Sequence, residues 1–285
     1  MKSSFLPKQS STKDLVRMNK ASRVIQRSRD YFQFARQLQD GTRASHERNL
    51  DSIRQADLAP YLDPKQPLRV LDLANGHLRP QYDLLRAAGH HVYGIDIVNR
   101  PGVSWANLAY RIARVLYERS LGKSSDEPTL VCGDVAHLPF ATNSFDLVTS
   151  IAAFEHFWDV PRVVADIQRV TRLGGLIWIW VHPFTSLSGG HNLSLTEVPL
   201  RRIPRGINPW DHLRRRHLSF HVPLNEWRIN QYIEVFEKYF CVLKQYCALR
   251  EGEEFLTADI EIELSAYSRD ELSCAGYVIL ARNTG

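Results

Sequence analysis

The sequence predicts an α/β fold, a mostly parallel sheet of seven strands, and three observations predict it. From about residue 68 onward, short apolar runs of strand length alternate with longer amphipathic ones, the pattern of successive β-α-β units. Seven such short runs occur, at residues 68–74, 91–97, 129–134, 145–152, 176–182, 241–248 and 277–282. Asp72, Asp96 and Asp134 fall at or near the C-terminal ends of the first three, where open α/β sheets receive their ligands.

The chain begins with a basic segment. Residues 1–60 hold 12 Lys and Arg against 6 Asp and Glu, a balance of +6, whereas the remaining residues come to −1. Leu15, Val16, Met18, Val24, Ile25, Tyr31, Phe32, Phe34 and Leu38 recur at three- and four-residue spacing, so a helical arm is expected. Pro60 and the Asp63-Pro64 step mark its boundary with a main domain over 61–285. No stretch approaches the ~20 apolar residues of a spanning helix, and the first residues lack the apolar core of a secretory signal, so a cytoplasmic protein without a membrane span is expected. Cys132, Cys241, Cys247 and Cys274 show no metal-ligand spacing; buried free thiols are expected, and no metal site is predicted.

Helices are expected over 81–88, 105–119, 160–172 and 226–240, with Gly174-Gly175 ending the third as a C-cap. Two segments break the alternation. Residues 184–222, after the fifth strand, hold Gly189-Gly190, several prolines and many arginines; a long insertion at such a place is expected to act as a lid. Residues 251–273 carry Leu256, Ile260, Ile262, Leu264 and Leu272, the spacing of one or two short helices.

The chemistry concentrates at the strand ends. The run Val70-Leu71-Asp72-Leu73-Ala74-Asn75-Gly76-His77-Leu78 is a strand closing in an acid and a turn of small residues. A dinucleotide would call for GxGxxG here, and only Gly76 is present. Asp72 would repel a pyrophosphate and favour a ligand bearing an ammonium and a sulfonium, so electrostatics points to S-adenosylmethionine over NAD. Val92-Tyr93-Gly94-Ile95-Asp96 follows, its acid 24 residues after Asp72, at the distance and position that suit a pair of ribose hydroxyls. Asp134, in Cys132-Gly133-Asp134-Val135, is placed to accept a hydrogen bond from an adenine amino group. Taken singly, Asp96 also fits a helix cap and Asp134 a turn; their joint placement favours the ligand reading.

VLDLANG, YGIDI, GDVAHLPFATNSFDLVTSIAAFEHFWD and RVTRLGGLIWIWVHP together resemble the class I, S-adenosylmethionine-dependent methyltransferases of the UbiE-like small-molecule group, over about residues 68–183. The resemblance implies a Rossmann-like, doubly wound sheet whose last strand is antiparallel. It implies Asp72, Ala74 and Gly76 around the methionine moiety, Asp96 and the adjoining Ile97 at the ribose, Asp134 and Val135 at the adenine, and Ser150 and Ile151 beside the sulfonium. Ala74 and Leu78 stand where the family usually has glycine, which implies altered cofactor packing.

Methyl transfer needs the acceptor held in line with the methyl group, and a hydroxyl acceptor also needs a base. His156, after the fourth strand, and His182, closing the fifth, are the candidate bases, with Glu155, His191 and Asn192 as orienting groups. Structural histidine is the competing reading of His156. Arg214 and Arg215, among the arginines of the insertion, are candidates for a carboxylate or phosphate on the acceptor; a solvated loop with structural ion pairs is the competing reading. The expected activity is O-methylation of a small molecule. Two other classes compete. An RNA methyltransferase is suggested by aromatic residues in the basic arm, but the segment Ser150-Ile151-Ala152-Ala153-Phe154 lacks the Asn/Asp-Pro-Pro-aromatic element of base-amino methylation. A non-catalytic cofactor-binding protein is suggested by the glycine-poor first turn. Acceptor identity and oligomeric state are not legible.

Overall fold

A computed structural model describes residues 41–63, 65–76, 79–97, 129–191, 195, 202–203, 207–214 and 222–285. The expected helices before residue 41 and over 105–119, and the candidate residues Asn192 and Arg215, lie outside the described residues. Among the described residues no helix is long and apolar enough to cross a membrane.

The first described element is helix α1 (Thr42–Leu58), followed by β1 (Arg69–Leu73), α2 (Pro80–Ala87), β2 (His91–Asp96), β3 (Thr129–Cys132) and β4 (Phe145–Ile151). Next come α3 (Val160–Val170), β5 (Thr171–Val181), α4 (Asp211–Arg214), α5 (Ile229–Tyr239), β6 (Cys241–Arg250), α6 (Ala258–Glu263), α7 (Arg269–Ser273) and β7 (Cys274–Arg282). The strands form one sheet in the order β3-β2-β1-β4-β5-β7-β6. Strands β1 to β5 pair in parallel, and β7 runs antiparallel to both β5 and β6. The order reverses between β1 and β4, the switch point at which such sheets open a crevice.

The period-two alternation of the strands sorts their side chains onto two faces. Leu71, Leu73, Ile95, Val148, Ile177 and Ile179 join Val163, Ile167 and Phe236 of α3 and α5 in one buried cluster. Val70, Leu147, Trp178, Trp180, Val278 and Leu280 join Leu50 and Leu58 of α1 and Tyr82 and Leu85 of α2 on the other. Trp180 fits because Gly276 lies opposite: a Cβ there would meet the indole at 2.0 Å. Helix α1 is thus built into the core of the main sheet. Its Asp57 accepts from Trp178 Nε1 at 2.9 Å, Lys244 Nζ at 2.6 Å and Tyr246 OH at 2.9 Å, so the boundary expected near residue 60 does not separate two cores.

Two expectations are corrected. Gly174-Gly175 does not cap a helix: α3 ends at Val170 and both glycines lie within β5. Gly174, at φ +77°, lets the strand bulge between the pairs Phe145–Thr171 and Leu147–Leu176, and Asn283 exchanges backbone hydrogen bonds with the pair. The thiols are free, but Cys132 and Cys241 are exposed rather than buried.

The two segments that broke the alternation pack against one another. Leu187, Leu195 and Trp210 of the insertion share a third buried cluster with Leu256, Ile260, Leu264 and Leu272, and Trp210 Nε1 donates to Leu272 O at 3.1 Å.

Candidate active site

At the cofactor side of the crevice, Asp72 pairs in register with Gly94 of β2 and Thr149 of β4, and Leu73 with Ser150. This brings Asp72, Ala74, Gly76, Asp96, Ser150 and Ile151 to one edge of the sheet. Asp72 is 3% exposed; burial pushes its carboxyl up to about 7, against the pull of the Arg54 guanidinium and with further push from Asp83, Glu47 and Asp96. Ala74 leaves β1 at φ +50° and Ala152 leaves β4 at φ +49°, left-handed backbone at neighbouring strand ends. Gly94 admits the Asn75 side chain, since a Cβ there would lie 2.1 Å from Asn75 Nδ2.

The acids expected at the ribose and adenine are engaged by backbone. Asp96 Oδ2 accepts from Gly76 N at 2.9 Å, which ties the β1 turn to the end of β2. Asp134 Oδ1 accepts from Ala136 N at 2.9 Å, the turn-forming geometry weighed against its ligand role. The Asp134 side chain is 55% exposed, Val135 beside it is buried in the core, and Ile97 is 71% exposed. Ser150 Oγ donates to Leu73 O at 3.2 Å. These residues suit S-adenosylmethionine: a buried carboxyl in β1, left-handed backbone at two neighbouring strand ends, and an acid at or just past each of the next two strand ends.

On the acceptor side, β4 gives way to a 3-10 turn over Phe154–His156. Asn225 clamps it, donating from Nδ2 to Phe154 O at 2.8 Å and Phe157 O at 3.0 Å, while Tyr232 OH donates to Asn225 Oδ1 at 2.9 Å. His156 Nδ1 lies 2.8 Å from Pro223 O. A carbonyl only accepts, so Nδ1 carries the proton and Nε2 keeps its lone pair. His182 Nε2 lies 2.8 Å from Ser188 Oγ, which in turn donates to Glu251 Oε1 at 2.6 Å. That hydroxyl proton is committed to Glu251, so His182 donates from Nε2 and its lone pair is on Nδ1.

His191, at φ +50°, stacks between them, with ring centroids 4.9 Å from both His156 and His182. Burial lowers all three imidazoles, His182 to about 4 and His191 far further, with neighbouring histidines adding to the last two. Glu155 is 1% exposed, and burial pushes its carboxyl up to about 8, drawn only partly back by the backbone N–H groups of Glu155 and His182.

The structure thus gathers His156, His182, His191 and Glu155 into one cluster. Arg214, expected to meet an acidic acceptor, instead donates from Nε to Glu263 Oε2 at 2.8 Å. Sequence reasoning missed Ser188, Glu251 and Asn225, which hold His182 and the turn carrying Glu155 and His156; Ser188 is six residues from His182, but Glu251 and Asn225 reach Ser188 and Phe154 across 63 and 71 residues, beyond any local pattern.

Residues 71–179 match the family model described as a methyltransferase domain. Over 73 residues the chain is 40% identical to a demethylmenaquinone methyltransferase of Thermobifida fusca, covering 26% of this chain and 31% of that protein. Over 177 residues it is 30% identical to a malonyl-[acyl-carrier protein] O-methyltransferase of Erwinia billingiae, covering 59% of each. The chain therefore spans about a third to three fifths of the length of these two relatives. Among solved structures, a chain assigned as a sarcosine dimethylglycine methyltransferase of Galdieria sulphuraria superposes with a TM-score of 0.51 at 16% identity, over 82% of this chain and 85% of that one, a likeness of fold. Family model, relatives and the order of the sheet agree: residues 71–179 carry a methyltransferase domain, of the kind that uses S-adenosylmethionine.

Proposed function

We propose that the protein transfers a methyl group to a hydroxyl oxygen of a small-molecule acceptor, with His156 taking the hydroxyl proton. The observation that carries this reading is that β1 and β4, neighbours in the sheet, lead into the Asp72 turn and into a turn bearing an imidazole of fixed tautomer. In this reading Asp72, Ala74 and Gly76 hold the methionine end, Asp96 the ribose, Asp134 and Val135 the adenine, and Ser150 and Ile151 line the sulfonium. Bound there, S-adenosylmethionine supplies an electrophilic methyl group.

The acceptor oxygen forms its new bond to that carbon as its own proton passes to Nε2 of His156. Among the described residues Nε2 has no hydrogen-bond partner, because the bond to Pro223 O is made at Nδ1. His182 fits the role less well, since it is grouped with Glu155 and His191 and its Nε2 is held by Ser188. The insertion and residues 251–273 close over the acceptor as a lid, excluding water. With Arg214 engaged by Glu263, an acidic group on the acceptor falls to Arg215. The O-methyltransferase named among the relatives supports oxygen as the atom methylated.

Calorimetry with S-adenosylmethionine and S-adenosylhomocysteine, followed by incubation with methyl-labelled cofactor and host extract, tests this reading. One bound cofactor per chain and a labelled small-molecule ether or ester are expected. No cofactor binding would sink the reading, and binding without transfer to any extract component would favour the non-catalytic alternative.

A further inference from the structure

Glu155, His182 and His191 come from three backbone segments: the turn after β4, the end of β5, and the Gly189-Gly190 turn of the insertion. One carboxylate oxygen and one nitrogen from each imidazole nevertheless lie within 4.8 Å of one another, with Glu155 Oε1 and His191 Nε2 3.9 Å apart. Both Glu155 oxygens and His191 Nε2 are buried, and beyond the partial pull of the Glu155 and His182 N–H groups on the carboxylate none has a hydrogen-bond partner among the described residues. Buried polar atoms are rarely left unengaged, and three at one point call for a shared partner. A proton shared between Glu155 and His191 would engage only two of these groups, whereas a cation would engage all three at once.

The surroundings reinforce this. His182 donates from Nε2 to Ser188 Oγ, and Ser188 is itself fixed by Glu251 through both its hydroxyl and its N–H, the latter at 2.7 Å. A histidine whose Nε2 is held by a relay to a carboxylate, which leaves the lone pair on Nδ1, has the support common around metal-ligating imidazoles. His191 is kept in left-handed backbone, a strain that persists where the surrounding structure imposes it. Beside it, Gly190 sits so close to His212 that a Cβ would lie 2.6 Å from the ring.

We propose that Glu155, His182 and His191 bind a divalent first-row transition cation, leaving its remaining positions to water and an oxygen of the acceptor. Two imidazoles with one carboxylate favour Zn²⁺, Mn²⁺ or Fe²⁺ over Mg²⁺ and Ca²⁺, which take oxygen ligands. Bonds of roughly 2.0–2.2 Å require the ligand atoms to draw together by about 1 Å, within reach of small side-chain rotations. Resting on the methyl-transfer reading for its acceptor, the cation binds the hydroxyl to be methylated, lowers its pKa, and His156 removes the proton.

The test uses the full chain, stripped with chelator and titrated with Zn²⁺ by calorimetry and with Co²⁺ by visible absorption. S-adenosylhomocysteine binding is measured on the same samples. One Zn²⁺ per chain and Co²⁺ ligand-field bands are expected. Glu155→Gln and His191→Ala each weaken Zn²⁺ binding at least about 100-fold, Ser188→Ala about tenfold, and His91→Ala, at the far end of β2, leaves it unchanged. Gln preserves the size of Glu155, and a Zn²⁺-dependent rise in melting temperature, present in the native chain and absent from a variant that melts normally without metal, separates loss of the site from unfolding. No bound Zn²⁺, or equal affinity in Glu155→Gln and His191→Ala, overturns the proposal. Zn²⁺ bound without any S-adenosylhomocysteine binding overturns the methyl-transfer reading and leaves the cation site standing.

Discussion

At the β1–β3 end of the crevice the acids are held by nearby turns, whereas at the β4–β5 end His156 and the Ser188 hydroxyl beside His182 are held from far along the chain. Asp134 is fixed by an amide two residues on and Asp96 by one 20 residues back. His156 depends on Pro223, 67 residues away, and Ser188 on Glu251, 63 away. The first side can form as soon as its strands pair. The second is complete only when residues of the insertion and of the segment after β6 have packed on one another. The largest test of this division is His156→Ala: kcat should fall about 10²–10⁴-fold while S-adenosylhomocysteine affinity stays the same. A parallel loss of cofactor affinity would show that the two sides do not form separately.

Asp72 sharpens the contrast from the cofactor side, because its burial sets function against stability. Its folded pKa of about 7 stands above the ordinary 3.8, so between those values the folded chain holds a proton that the unfolded chain has lost. The stability it contributes is therefore fully present below about pH 3.8, falls as pH rises, and is gone above about pH 7. A shift of this size corresponds to up to about 4 kcal/mol. Asp72→Asn should gain stability over the native chain as pH is raised from 4 to 8, by denaturant melts at each pH, while losing cofactor affinity. A stability difference that does not change with pH would show that the carboxylate is not buried in solution.

Much of the fold was legible because its determinants are local. The alternation that sends Leu71 and Leu73 to one face and Val70 to the other is written into five residues, and strand-ending acids announce where the crevice opens. The glycine pair at 174–175 misled because glycine serves a helix end and a strand bulge equally well; the choice is made by Asn283, a hundred residues on. The acceptor side was legible as residue types only. Glu155, His156, His182 and His191 stood out in sequence, but nothing local says which nitrogen of each ring carries a proton. That is decided by Pro223, Ser188 and Glu251. Arg214 illustrates the same limit, since its partner Glu263 belongs to a helix that no pattern ties to the insertion.

The smallest expected effect bears on the two alanines at the crevice, one on each side. Ala74 and Ala152 hold φ of +50° and +49°, where a Cβ costs about 1–2 kcal/mol relative to glycine. Glycine returns about 0.4–1 kcal/mol of that as unfolded-chain entropy. The balance leaves Ala74→Gly and Ala152→Gly more stable than the native chain by about 0.5 kcal/mol. Ala165→Gly, inside α3, should lose about 1 kcal/mol, so the contrast in sign is easier to measure than either value. If Ala74→Gly gained stability and Ala152→Gly lost it, strain would be confined to the cofactor turn. The β4 end would then owe its geometry to the Asn225 clamp alone.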